Sequence, residues 1–98
     1  MARASDAVVG FAVANWSFFA HCFIALVVVH PDQRRRGIAS ALIRHVEAEC
    51  PSARLFTSTN RSNTIMQAVC ESLGFVRSGI VENLDADDPE LIYFKRLR

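Results

Sequence analysis

From Val27 to Leu42 the chain reads Val-Val-Val-His-Pro-Asp-Gln-Arg-Arg-Arg-Gly-Ile-Ala-Ser-Ala-Leu. A β-branched apolar run stops at Pro31. Arg34, Arg35 and Arg36 follow, then Gly37, and then Ile38, Ala39 and Ser40 open a run with helical apolar spacing. The first turn of a helix carries backbone N–H groups without partners and a partial positive charge, so it attracts phosphate. Gly37 lets a ligand approach the backbone, and Ala39 adds almost no bulk. This pattern points to a phosphorylated cofactor. The Walker spacing is absent, and so is the G-x-G-x-x-G dinucleotide turn. A solvated basic helix start is the plain alternative. A nucleic-acid surface would extend the patch with more Lys and Arg and interleave aromatics. Here three arginines stand in a chain of formal net charge +1, so no nucleic-acid partner is expected.

The elements that must hold this turn are readable from period and punctuation. Val8 to about Ala14 and Phe18 to Val29 read as strands. Asn15-Trp16-Ser17 reads as the hairpin connection between them, with Gly10 another candidate bend. Ile38, Leu42 and Val46 recur at helical spacing over about Arg35 to Ala48, and Pro51 stops that helix. Arg54 to Ser58 reads as a short strand. Asn60 or Ser62 can cap a second helix that runs to about Leu73, with Ile65, Val69 and Leu73 as its apolar face, flanked by Met66 and Cys70, and Gly74 beyond its end. Phe75 to about Glu82 and Leu91 to Leu97 read as two last strands. The acidic residues Glu82, Asp85, Asp87, Asp88 and Glu90 fall in the loop between them, as a solvated turn or a contributor to acceptor binding. The order β-β-α-β-α-β-β predicts an α/β fold with a mixed sheet.

Ninety-eight residues, about half of them apolar, predict one globular domain over 1–98. Cys22, Cys50 and Cys70 fit no C-x-x-C pattern and are expected as reduced thiols, which suits a cytoplasmic protein. No metal site is expected. Ala7 to Val29 carries no charge and is long enough to span a bilayer. Asn15, Ser17 and His21 interrupt it, and its Val, Phe and Ile content suits buried strands, so no membrane partner is expected.

Two segments resemble the GNAT N-acetyltransferases. Val27-x-Val29-His30-Pro31-x-x-Arg34-Arg35-Arg36-Gly37-Ile38-Ala39 is similar to that family's acetyl-CoA motif, Q/R-x-x-G-x-G/A after a V-x-P strand end. Asn63, Met66, Cys70, Gly74 and Phe75 fall on its N-x-x-A-x-x-x-Y-x-x-x-G-F pattern. The resemblance covers about residues 8 to 97. It implies a GNAT-like fold with a mixed, mostly antiparallel sheet, and acetyl-CoA as co-substrate. It further implies direct acetyl transfer to a primary amine. On this resemblance the backbone of Val27, Val28 and Val29 pairs with the pantetheine arm. The amides from Arg34 through Arg35, Arg36, Gly37, Ile38 and Ala39 to Ser40 hold the pyrophosphate, and Asn63 contacts the arm.

Two departures stand out. Cys70 replaces the tyrosine thought to protonate the leaving thiolate. It is carried as the candidate catalytic proton donor, beside its alternative as a buried apolar residue. The chain also opens almost directly in what resembles the family's third strand, so the elements that wall the acceptor site are expected to be absent. This makes a non-catalytic acyl-CoA-binding module the second reading. The strand Cys22 to Val29 carries no Asp or Glu, so no general base is evident. His21 and His30 are the nearest titratable side chains. Apolar sheet surface at Trp16, Phe18, Phe19 and Phe23 is expected to be exposed, and to be covered in a homodimer.

Overall fold

The computed structural model describes residues 2–4, 7–30 and 37–98. Its elements are β1 (Ala2–Ala4), β2 (Ala7–Phe18), β3 (His21–Val29), α1 (Ile38–Glu49), β4 (Arg54–Asn60), α2 (Thr64–Ser72), β5 (Val76–Val81) and β6 (Glu90–Arg96). The expected order holds, with the three-residue strand β1 added in front. The strands form one sheet in the order β1-β2-β3-β4-β6-β5. Only β3 and β4 run parallel; the other neighbours are antiparallel. The sheet is therefore mixed and mostly antiparallel, as expected. α1 makes the crossover between the parallel pair.

The uncharged run 7–29 is the β2–β3 hairpin. No helix among the described residues is long and apolar enough to cross a membrane. The hairpin turns at Phe19 and Ala20, with φ of 51° and 63°, and Phe18 pairs with His21. Asn15 and Trp16 lie inside β2 instead. Two consecutive positive φ values are the mark of a type I′ turn, which usually takes Asn-Gly. Phe-Ala gives no such signal, so the turn falls later than the sequence predicts. Gly10 is no bend either: it sits within β2 opposite Val29.

A β-bulge decides which side chains of β3 face which way. Val13 pairs with Leu26 and Ala14 with Ile24, leaving Ala25 as the extra residue. Cys22 and Ile24 therefore point to one face, and Leu26 and Val28 to the other. The first face carries both helices. Cys22, Ile24, Leu55, Leu91 and Tyr93 from the sheet pack there with Ile43 of α1 and with Cys70 and Leu73 of α2. Lys95 bonds Glu47 of α1 at 2.8 Å, and the Tyr93 hydroxyl donates to Glu71 of α2 at 3.3 Å. The second face holds an aromatic row. Phe18 stacks on Phe23 with ring centroids 5.1 Å apart, Phe18 lies 4.9 Å from Phe56, and Phe56 lies 5.3 Å from Phe94. Phe18 and Phe23 are thus half-buried against each other, whereas Trp16 and Phe19 are exposed as expected.

The inward face of α2 runs through Met66, Val69, Cys70 and Leu73, at helical i, i+3, i+4 and i+7 spacing. Ile65 is 76 % exposed, so the Ile65–Val69–Leu73 stripe expected from sequence is rotated by one position. The helix ends in a Schellman motif. Gly74, at φ 91°, donates to Glu71 O, and Phe75 N–H donates to Cys70 O.

Candidate functional site

The β3–β4 ladder is short. Its pairs are Cys22–Leu55, Phe23–Phe56 and Ile24–Thr57, and there it stops. Beyond it β3 continues to Val29 paired with β2, and β4 continues to Asn60 paired with β6. The two strands part as a fork. Along Ala25–Val29 the backbone on the β4 side has no strand partner among the described residues. At the apex the buried Thr57 hydroxyl donates to Ile24 O at 3.1 Å. A side chain thus takes up the last carbonyl before the opening, so the ladder ends without leaving a buried acceptor unpaired.

α1 starts where β3 ends. Its N-cap is Gly37 in the left-handed region, φ 72° and ψ 14°, and the first turn carries no acidic side chain. The first bond inside the helix is Ala41 N–H to Gly37 O at 2.9 Å. The amides of Ile38, Ala39 and Ser40 are therefore the helix's own unpaired donors, and a glycine cap offers them no side chain. Among the described residues a Cβ built on Gly37 would meet nothing within 4 Å, so the glycine is there for its φ. Gly10 ties the fork to this helix start. Its ideal Cβ would lie 2.7 Å from Val28 O, 3.2 Å from Ile38 Cγ2 and 3.4 Å from Leu42 Cδ1. The absent side chain lets β3 and the first turn of α1 close on β2.

Of the residues singled out from sequence, Val27, Val28 and Val29 line the free arm of the fork. Gly37, Ile38, Ala39 and Ser40 form the helix start. Arg34, Arg35 and Arg36 lie outside the described residues. Asn63 is the N-cap of α2. Its Oδ1 accepts from Met66 N–H at 3.1 Å, a role expected from sequence at Asn60 or Ser62. That leaves its Nδ2 as the group with no partner among the described residues.

Cys70 sits on the core side of α2 and is fully buried. Burial pushes its thiol up to about 11, and the Glu71 carboxylate adds to the rise. His21 Nδ1 lies 3.3 Å from Ser52 Oγ, at the closed end of the β3–β4 pair, away from the fork opening.

The acidic stretch divides. Asp85 accepts from Asn60 Nδ2 at 2.9 Å. Asp88 accepts from Ser62 Oγ at 2.6 Å and Ser62 N–H at 3.0 Å, and those bonds hold its carboxyl below the usual carboxylate range. Asp85 thus clips the β5–β6 loop to the end of β4, and Asp88 clips it to the turn before α2. Glu90, read as the end of that loop, is instead the first residue of β6, opposite Asn60. Its Oε2 accepts from Ser58 Oγ at 2.6 Å. Sequence reasoning misses it because the strand begins one residue earlier than its apolar run.

The mixed, mostly antiparallel sheet and the order of its elements are what the sequence resemblance implies for the fold. The family model of the acetyltransferase (GNAT) family matches residues 1–75 of the chain. The chain belongs to the GNAT acetyltransferase family. A GNAT-family acetyltransferase from Bacillus cereus ATCC 10987 is 42 % identical and superposes with a TM-score of 0.91, over 96 % of this chain and 66 % of that one. The ribosomal-protein-S18-alanine N-acetyltransferase from Escherichia coli shares the GNAT fold at 24 % identity, with a TM-score of 0.84 over 97 % of this chain and 65 % of that one. A Bacillus anthracis str. Ames protein solved in complex with acetyl coenzyme A shares it at 20 % identity, with a TM-score of 0.81 over 95 % of this chain and 58 % of that one. This GNAT chain spans between 58 % and 66 % of the length of these three. No curated protein matches it.

Proposed function

We propose that this chain binds acetyl-CoA across the β3–β4 fork and the start of α1, and moves the acetyl group directly to a primary amine. The observation that carries this reading is the parting of β3 from β4 after Ile24–Thr57, next to a helix start whose cap is a left-handed glycine. The unpaired edge of Val27–Val29 suits an added strand, and the amide-rich pantetheine arm can pair with it as one. An N–H on that edge polarises the thioester carbonyl as negative charge develops on its oxygen. The amides of Ile38, Ala39 and Ser40 receive the pyrophosphate, and Arg34, Arg35 and Arg36, which precede them in the sequence, add positive charge. Asn63 Nδ2, with its Oδ1 engaged in the cap, donates to an oxygen of the arm. Holding donor and acceptor together supplies much of the acceleration.

A thiol as buried as Cys70 supports packing rather than proton donation, and this favours the second reading, an acyl-CoA-binding module without catalysis. Coenzyme A release in the presence of an amine panel separates the two. The reading includes a cytoplasmic location, as reduced cysteines suit, and a homodimer, supported by the exposed Phe11, Val13, Trp16, Leu26 and Val28 of β2 and β3. A monomer mass by light scattering would count against it.

Calorimetric titration with acetyl-CoA tests the binding site. Gly37→Glu puts a carboxylate against the pyrophosphate and a Cβ on a left-handed backbone. The parent chain is expected to bind, and the variant to lose at least tenfold in affinity. No binding by the parent would refute both readings, and equal binding by the variant would refute the phosphate site.

A further inference from the structure

The proposed reaction needs a group to take a proton from the acceptor, because an amine in neutral water is mostly an ammonium ion. β3 offers no carboxylate between Cys22 and Val29. Glu47 and Glu71 lie on the helix-covered face, bonded to Lys95 and Tyr93. Asp85 and Asp88 hold Asn60 and Ser62. Glu90 stands elsewhere.

The register of β4 with β6 runs unbroken from Arg54–Arg96 to Asn60–Glu90. Directly paired residues of an antiparallel ladder share a face, and every second residue returns to it. Leu55, Thr57 and Thr59 are buried towards the helices. Phe56, Ser58 and Asn60 therefore face the other way, and Glu90 and Ile92 face with them. Ser58 is also the first β4 residue beyond the last β3–β4 pair, so it stands at the mouth of the fork. The hydrogen bond from Ser58 Oγ at 2.6 Å holds the Glu90 carboxylate beside that mouth, on the face opposite both helices. Its second oxygen, Oε1, has no partner among the described residues.

We infer that Glu90, oriented by Ser58, is the carboxylate that receives the acceptor's ammonium group and takes its proton. The inference rests on the acetyltransferase reading above. The ammonium gives one proton to Glu90 and becomes the free amine. The amine nitrogen attacks the thioester carbonyl carbon; the C–N bond forms and the C–S bond breaks. The nitrogen sheds its second proton, the departing thiolate ends as the coenzyme A thiol, and Glu90 returns its proton to water. One ammonium ion and one acetyl-CoA thus give one amide, one thiol and one released proton. Glu90 is the catalytic residue of this step and Ser58 its positioning residue.

Glu90→Gln keeps an acceptor for the Ser58 hydroxyl and removes the base. Acetyl-CoA affinity by calorimetry is expected to match the parent, while amine-dependent coenzyme A release falls at least a hundredfold. Ser58→Ala is expected to give a smaller loss, in kcat more than in the KM for acetyl-CoA. A second measurement needs no turnover. With saturating coenzyme A, butylammonium is expected to shift the NMR signals of Ser58, Asn60 and Glu90 in the parent and not in Glu90→Gln. Parent-like coenzyme A release by Glu90→Gln overturns the inference. So does butylammonium that leaves those three signals unmoved, whether or not the parent turns over. A parent that binds no acetyl-CoA in the calorimeter overturns the acetyltransferase reading itself.

Discussion

Replacing Gly10 with valine is expected to weaken acetyl-CoA binding at least tenfold although residue 10 lies in β2, outside the proposed site. The nearest neighbour of the new Cβ would be a backbone oxygen, Val28 O at 2.7 Å, which cannot rotate away. The next would be Ile38 and Leu42 on α1. Relief therefore requires β3 or the first turn of α1 to move, and these are the two halves of the proposed site. Overpacking of this kind costs about 1–3 kcal/mol, and more where backbone must shift. Gly10→Val is thus expected to lower thermal stability and to weaken acetyl-CoA at least tenfold, read by calorimetry at a temperature where circular dichroism shows the variant folded. Gly10→Ala should fall between the two. A folded Gly10→Val with parent affinity would show that the β3–α1 geometry does not set binding.

A second large effect is expected in alkali. Burial raises the Cys70 thiol from an ordinary 9.0 to about 11. Burial likewise raises Cys22 to about 11, with the adjoining Cys50 thiol adding to it. Both groups keep their proton longer in the folded chain than in the unfolded one. Their contribution is complete below pH 9 and is lost as pH climbs from 9 towards 11, where the unfolded chain gains by ionising. For a thiol as deeply buried as Cys70, a rise of this size is worth about 3 kcal/mol. Denaturant unfolding followed from pH 8 to 11 should therefore show a steep loss of stability. Cys70→Ala should be less stable at pH 8 and show a shallower decline. An unchanged slope in that variant would place the alkaline loss elsewhere.

What the sequence could show follows from where its signals are local. Val27–Val29 ending at Pro31, with Gly37 opening a helical run, marks the fork's arm and the helix start because each depends on neighbouring residues only. Gly74 marks the end of α2 for the same reason. The hairpin turn escaped because Phe19 and Ala20 adopt positive φ without the residues that favour it. The bulge at Ala25 escaped because nothing in Ile24-Ala25-Leu26 distinguishes one parity from the other; packing against α1 decides it. The insertion of β6 between β4 and β5 is a long-range choice. It sets Glu90 beside Ser58, so the pairing was not readable from an acidic run that looked like a loop. Cys70 is legible on α2 both as a proton donor and as a buried apolar residue, and its full burial agrees with the second.

The short β3–β4 ladder has a consequence for cooperativity. The sheet is two hairpin-built halves, β1-β2-β3 and β4-β6-β5, joined edge to edge by three residue pairs, with α1 spanning the seam. Regions that open together in native-state hydrogen exchange tend to coincide with such supersecondary blocks. The amides of Leu55, Phe56 and Thr57 then sit on the line along which the chain would divide into foldons. A ligand that bridges the parted strands would join the two blocks into one cooperative unit, so its binding would be felt as protection far from every atom it touches.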